Sequence, residues 1–199
     1  MTRDPEPLLA LLGRLQGLWN AQGAPVAHYA LPGLTEGRLD EVARTSGFQL
    51  AGELREWWAW HNGVAEAPGV PLSTLTAGPG AWELLSLDGA LADRTTWMQT
   101  MARTGLPWDP TWLPLVAGPQ NSRILARTAE GDGYHVPMGF MMLPYEGELG
   151  ATVAGSLAEV VALWVLALEE RYYWYDSTLG GWESRWADVP LELKMRWVI

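Results

Sequence analysis

The sequence predicts an α+β fold in which an antiparallel sheet packs against several helices. Three observations carry this. Apolar residues recur at spacings of three and four through much of the first hundred positions, the period drops towards two between Trp112 and Leu143, and one long apolar helical pattern returns between Ser156 and Leu168. A chain of 199 residues with 48% hydrophobic and 18% charged content is globular in composition. It is long enough for one domain with a sizeable core, so residues 1–199 are taken as a single domain.

The elements follow in order. Leu8, Leu11, Leu12, Leu15 and Leu18 or Trp19 predict an amphipathic helix over residues 5–20, with Pro5 and Pro7 suited to its first turn. Gln22 to Ala30 is a connector. Pro32 pushes Leu31 out of the α region, so Leu31-Pro32-Gly33 is extended or a turn. Thr35 is placed as an N-cap with Glu36 behind it, Leu39, Val42, Ala43 and Ser46 share a face, and Gly47 stands at the C-terminal cap. A second helix runs from about Ala51 to His61. Leu54, Trp57, Trp58 and His61 form its apolar face, and Glu53, Arg55 and Glu56 point elsewhere. Trp57 and Trp58 differ by about 100° in direction, so one of them is expected to face the core and Trp60 to point away from both. Asn62-Gly63 reads as the stop.

Ala65 to Gly80 is a Pro- and Gly-rich loop, and Trp82 to Leu87 a short strand. Asp88 is expected to cap a helix reaching about Arg103, with Leu91 and Thr95 on one side and Met98 near them, ended by Gly105-Leu106-Pro107. Trp112 to Ala117 contains Pro114 and therefore reads as an edge strand or strand start. Gly118 to Asn121 is a turn, Ser122 to Thr128 a strand, Glu130 to Gly133 a second turn, and Tyr134 to Leu143 an extended run bent around Pro137 and Gly139. Together these make an antiparallel meander. Ser156 and Glu159 form a capping box for a helix striped by Leu157, Val160, Val161, Trp164, Val165 and Leu168. Burying each of those six side chains is worth roughly 1.5–3 kcal/mol, so this helix must cover the sheet or the earlier helix pair. Tyr and Trp crowd residues 172–199, interleaved with acids, and Val189 to Ile199 reads as a last helix or strand.

Residues Leu31 to Gly63 hold a Leu-Pro start, an acidic helix closed by Gly and a bulky-faced helix closed by Asn-Gly. This block resembles the SMI1/KNR4 (SUKH) family. Trp108 to Val116 (WDPTWLPLV) and Ala154 to Leu168 (AGSLAEVVALWVLAL) resemble two further family blocks in the same order. The resemblance spans about residues 5–170 and leaves 172–199 as a C-terminal extension. It implies a SUKH-like α+β domain that binds other proteins, bacterial members serving as immunity proteins that block a toxin domain, often a nuclease. Fungal members act in cell-wall synthesis signalling. The family has no fixed catalytic set. Its Gly- and acid-rich turn after the tryptophan block is replaced here by Gly118, Pro119, Gln120, Asn121 and Ser122.

The charge supports a binder. Thirteen basic and 23 acidic residues give a net charge of −10. Thr128 to Glu192 holds eleven acids against Arg171 and Arg185, or −9. Such a face repels phosphate backbones, which disfavours nucleic-acid binding, and attracts basic proteins. Solubility alone is the plain alternative. Of the big aromatics 13 are Trp and 2 are Phe, so most Trp must be core and some remain as interface anchors. Absence of cysteine fits a reducing compartment. No signal peptide or membrane-length apolar run is legible, and the expected location is cytoplasmic, without membrane contact.

A search for chemistry is mostly negative. Gly-rich phosphate loops and the G-x-S-x-G elbow are missing, and Ser156 is better read as a helix cap than a nucleophile. His28, His61 and His135 lack metal-ligand spacing, and His61 reads as a hydrogen-bonded core or boundary residue. Glu130 and Asp132 flank turn glycines without the ligand pattern of a calcium loop. The expectation is therefore no catalytic, cofactor or metal site. A partner surface is expected from Glu130, Asp132, Glu146 and Glu148 with Trp174 and Trp182, facing a basic toxin domain. Glycan or cell-wall recognition by surface Trp, with a less favoured hydrolase version using two carboxylates, is the alternative, and a scaffold without a toxin is a third.

Overall fold

The computed structural model describes residues 6–77, 81–142 and 149–196. Helix α1 (Leu8–Gln22) buries Leu8, Leu11, Leu12, Leu15 and Trp19 and ends at Gly23 in the left-handed region. A single turn, α2 (Val26–Tyr29), leads into β1 (Ala30–Pro32). Helix α3 (Glu36–Ser46) begins at Thr35, whose hydroxyl accepts from the Arg38 N–H, and closes at Gly47 with φ 66°. Helix α4 (Gly52–Trp60) then passes straight into β2 (His61–Val64), which pairs antiparallel with β1.

Several sequence expectations change at this junction. Asn62 and Gly63 do not cap a helix; the chain is already extended at His61 (φ −144°, ψ 138°). Asn62 instead turns its side-chain oxygen to the Leu87 N–H at 2.9 Å, at the start of the next helix. Trp57 and Trp58 are both buried, because α1 and α6 cover one and the segment around Leu85 the other. Trp60 packs with them, its ring 5.6 Å from Trp57 and 5.3 Å from Trp19. Close packing here depends on Gly33: a β-carbon there would fall 1.7 Å from the Ala59 carbonyl oxygen.

Helix α5 (Leu87–Thr104) follows the two-residue strand β3 (Glu83–Leu84). Its cap is Ser86 rather than Asp88, the Ser86 hydroxyl accepting from the Gly89 N–H at 3.0 Å. It buries Leu87, Ala90, Trp97 and Met101, and Thr95 is exposed. The meander comprises β4 (Trp112–Ala117), β5 (Arg123–Arg127), β6 (Met138–Met141) and β7 (Ala151–Ala154). With β3 these form one antiparallel sheet in the order β3-β4-β5-β6-β7. β4 pairs with β5 along its length but with the two-residue β3 only at Val116 and Ala117, so Pro114, paired with Leu125 alone, lies where β4 is locally an edge, as expected. The register of β4 against β5 shifts between Pro114 and Val116.

Alternation across the sheet separates two faces. Leu113, Ile124, Ala126, Met138 and Phe140 join one core with α1, α4 and α6 (Leu157–Glu169). Trp112, Leu125 and Met141 form a second cluster with Trp97 and Met101 of α5. Arg123 links sheet and helix through Asp93, at 2.7 and 3.0 Å, with its guanidinium over the Trp97 ring. The sheet thus lies between α5 on one face and α1, α4 and α6 on the other. Sandwiched among α1, α4 and β7, α6 buries Ala158, Leu163 and Ala167 as well as its six-residue stripe.

Beyond α6 the tail forms a hairpin, β8 (Tyr173–Asp176) with β9 (Gly181–Ser184), and a short helix α7 (Leu191–Arg196). Tyr173 and Val189 enter the main core, so the tail is packed onto the rest of the fold. Trp197 lies outside the described residues.

Candidate functional site

The site grows from one residue that periodicity places on the polar side of α4. Glu53 is 0% exposed. Its carboxylate accepts from Val136 N at 2.8 Å, Leu157 N at 3.2 Å and Ala158 N at 3.0 Å. Two of these are free N–H groups of the first turn of α6, where a negative charge is favoured. The third fixes the segment leading into β6. In return, the first N–H groups of α4, those of Gly52 and Glu53, donate to the carbonyls of Gly133 and Tyr134. One buried carboxylate therefore joins α4, α6 and residues 131–136.

That segment is held further by its own side chains. Asp132 accepts from the Tyr134 N–H at 2.9 Å and the His135 N–H at 2.8 Å, and its second oxygen lies 3.1 Å from His135 Nδ1. These hydrogen bonds, that of His135 foremost, pull the Asp132 carboxyl down to about 2. The same bond raises His135 above the usual imidazole range. The Tyr134 hydroxyl donates to Glu56 at 2.6 Å, and that bond lifts its pKa to about 12. The ring packs on Gly52, where a β-carbon would fall 2.1 Å from Cδ2.

Between this segment, the start of α1 and the start of α6 opens a cleft of about 540 Å³, lined among others by Glu6, Glu53, Asp132, Tyr134, His135 and Glu159. Ser156 also lines it, so Ser, His and Asp side chains share one cleft. Their bonds are those of a cap: the Ser156 hydroxyl accepts from the Glu159 N–H at 3.2 Å, and Glu159 reaches back to the Gly155 N–H at 3.2 Å. The amides of Leu157 and Ala158, positioned as oxyanion donors would be, are taken by Glu53. Among the described residues no group of three His, Cys, Asp or Glu is arranged to hold a metal ion.

The expected site residues divide. Asp132 lines the cleft. Glu130 lies just before it, exposed and paired with Arg127. Glu146 and Glu148 lie outside the described residues. Trp174 and Trp182 are elsewhere, on the hairpin that follows the C-terminal end of α6. The 13 residues of α6 make it about 20 Å long, so the acidic loop and the aromatic hairpin sit at opposite ends of that helix. The hairpin aromatics are also engaged with one another. Trp182 stacks on Tyr173 at 4.9 Å and meets Tyr175 edge-on at 5.4 Å, and Arg171 lies over Trp174. His61 sits at the boundary of the core, its ring nitrogens 2.9 Å from the Leu31 carbonyl oxygen and 2.8 Å from the Gln16 side chain, and burial lowers its pKa. Glu53 and Tyr134 escaped the sequence reading.

The fold and cleft thus define an α+β protein with an acidic, internally braced loop at the start of a buried helix. No protein-family model matches the chain, and no curated protein matches it. Among the described residues no helix is long and apolar enough to cross a membrane.

Proposed function

We propose that the chain is a protein-binding module without catalytic activity of its own, an immunity-type member of the SMI1/KNR4 superfamily that neutralises a basic toxin domain in the cytoplasm. The observation that carries this reading is the distribution of charge. Arg14, Arg38, Arg55, Arg123, Arg127 and Arg185 are each paired with carboxylates of the same chain. Each such pair ties up a carboxylate along with its cation, so pairing does not change the sign of the excess: at a net −10 the charge left to face a partner is negative. A basic cleft that holds phosphates is the complement of such a face, and long-range attraction speeds the encounter. Commitment of Ser156 to a helix cap and of Glu53 to three amides supports a binding role over a hydrolytic one. The packing of Trp182 against Tyr173 leaves the glycan reading with less support.

The test is co-expression with the toxin encoded beside this gene. Protection of the host, with binding that weakens as salt rises, is the expected result. Absence of both binding and protection, or binding that ignores salt, overturns the reading.

A further inference from the structure

We infer that Tyr134 is the anchor of the interaction surface, and that it receives an arginine side chain of the basic partner. This rests on the acidic-face reading above and adds where the contact forms and with what.

Tyr134 is 41% exposed, a large aromatic in a segment that is otherwise tied down. Its backbone N–H is held by Asp132 and its carbonyl by the Glu53 N–H. Its ring is backed by Gly52 and its hydroxyl is fixed by Glu56. An aromatic whose orientation is already set loses little conformational freedom on binding, which is the property of an interface hot spot.

The surroundings select the partner group. Glu56 uses one carboxylate oxygen for Tyr134, and the other, Oε2, is buried without a hydrogen-bond partner among the described residues. That carboxylate lies at the hydroxyl end of the ring. Asp132 and Glu159 line the same cleft as Tyr134. A cation seated on the exposed ring is attracted by its π face and enters a cleft that Glu6, Asp132 and Glu159 line. Arginine fits better than lysine, because its planar guanidinium can stack on the ring and offer its N–H groups to carboxylates at once. Tyr134 meets the His135 ring edge-on at 4.9 Å, whereas on the hairpin at the far end of α6 Trp174 already carries the Arg171 guanidinium and Trp182 lies stacked on Tyr173.

The experiment is a titration of the full chain with two labelled peptides of equal charge and spacing, one of alternating Arg and Gly and one of alternating Lys and Gly. It is read by fluorescence anisotropy at low and moderate salt and by NMR of the Tyr134 ring. The expected result is tighter binding of the Arg peptide by at least several-fold, with shifted Tyr134 ring signals. Tyr134→Ala should lose about tenfold in affinity, Tyr134→Phe much less, and Trp174→Ala and Trp182→Ala nothing. Amide exchange of residues 53 and 157–158 reports whether Tyr134→Ala keeps the underlying fold. Equal binding of both peptides that survives Tyr134→Ala but falls with Asp132→Asn overturns the inference and leaves the acidic-face reading standing. No binding of either peptide at low salt removes both.

Discussion

The two ends of α6 meet charges of opposite sign, one brought from more than a hundred positions away and the other from about fifteen. At the N-terminus Glu53, 104 and 105 positions earlier, accepts from Leu157 and Ala158. At the C-terminus Arg185 donates to the carbonyls of Arg171 at 3.0 Å and Glu170 at 3.1 Å. Both follow the helix dipole, negative charge at the start and positive at the end. They differ in burial. Glu53 is 0% exposed, and the Arg185 side chain is 50% exposed. Burial decides what each is worth. Water can replace an exposed donor at a carbonyl, but nothing replaces a buried acceptor facing three amides.

The largest expected effect follows from that difference. Glu53→Ala leaves the N–H groups of Val136, Leu157 and Ala158 unpaired in the interior, at a cost of about 3–5 kcal/mol. Urea unfolding measures it, and amide exchange should accelerate at residues 131–136 together with the first turn of α6. Glu53→Gln, which keeps one acceptor oxygen but turns an NH2 group towards the remaining amides, should fall between. If Glu53→Ala costs no more than a surface substitution, burial does not explain the contrast between the two ends.

Gly52→Ala comes next. The added carbon meets the Tyr134 ring at 2.1 Å, so the ring must leave its seat or α4 must shift. A loss of about 1–3 kcal/mol is expected. The loss should shrink when Tyr134→Ala is made first, which a double-mutant cycle in urea reads directly. At the other end, Arg185→Ala should cost only about 0.5–1 kcal/mol, with exchange quickening near Glu170 and Arg171 and residues 131–136 unchanged.

The ease of reading each element from sequence follows the same division. Elements that rest on local signals are legible. Thr35 and Gly47 bracket α3, Ser156 starts α6, and the alternation from Trp112 onward yields the meander. Elements that rest on distant partners are not. Glu53 looks like an ordinary first-turn acid, because its three donors are contributed by residues more than 80 positions away. Asn62-Gly63 carries a helix-stop signal, but pairing of β2 with β1 extends that stretch instead. Strand β7 is four residues of small and β-branched type between two glycines, too short to show a period. Tyr134 reads as one more strand residue, since the glycine that seats it belongs to another helix. Placement of the acidic loop and the aromatic tail at opposite ends of α6 has no sequence signal, because it depends on the direction of that helix.

The smallest effect is that of pH on the loop of residues 131–136. Asp132 is lowered to about 2 by its bonds to His135 and two backbone N–H groups, so its contribution is present above its unfolded value of 3.8 and lost as pH falls through about 2. His135 is raised by the same carboxylate. Its contribution is complete below its unfolded value of 6.5 and is lost as pH rises through the higher folded value. The two overlap between 3.8 and 6.5, the window in which residues 131–136 are held best. His61 acts in the opposite sense to His135: burial lowers it, so its contribution is present above 6.5 and lost as pH falls through the lower folded value. Asp132 and His135 are exposed, so the loop effect should register in local amide exchange at Tyr134 and His135 rather than in global unfolding. Asp132→Asn should flatten that local profile while the Glu53-dependent protection of Leu157 and Ala158 persists. A profile that stays steep in Asp132→Asn would mean that the loop is fixed by Glu53 alone.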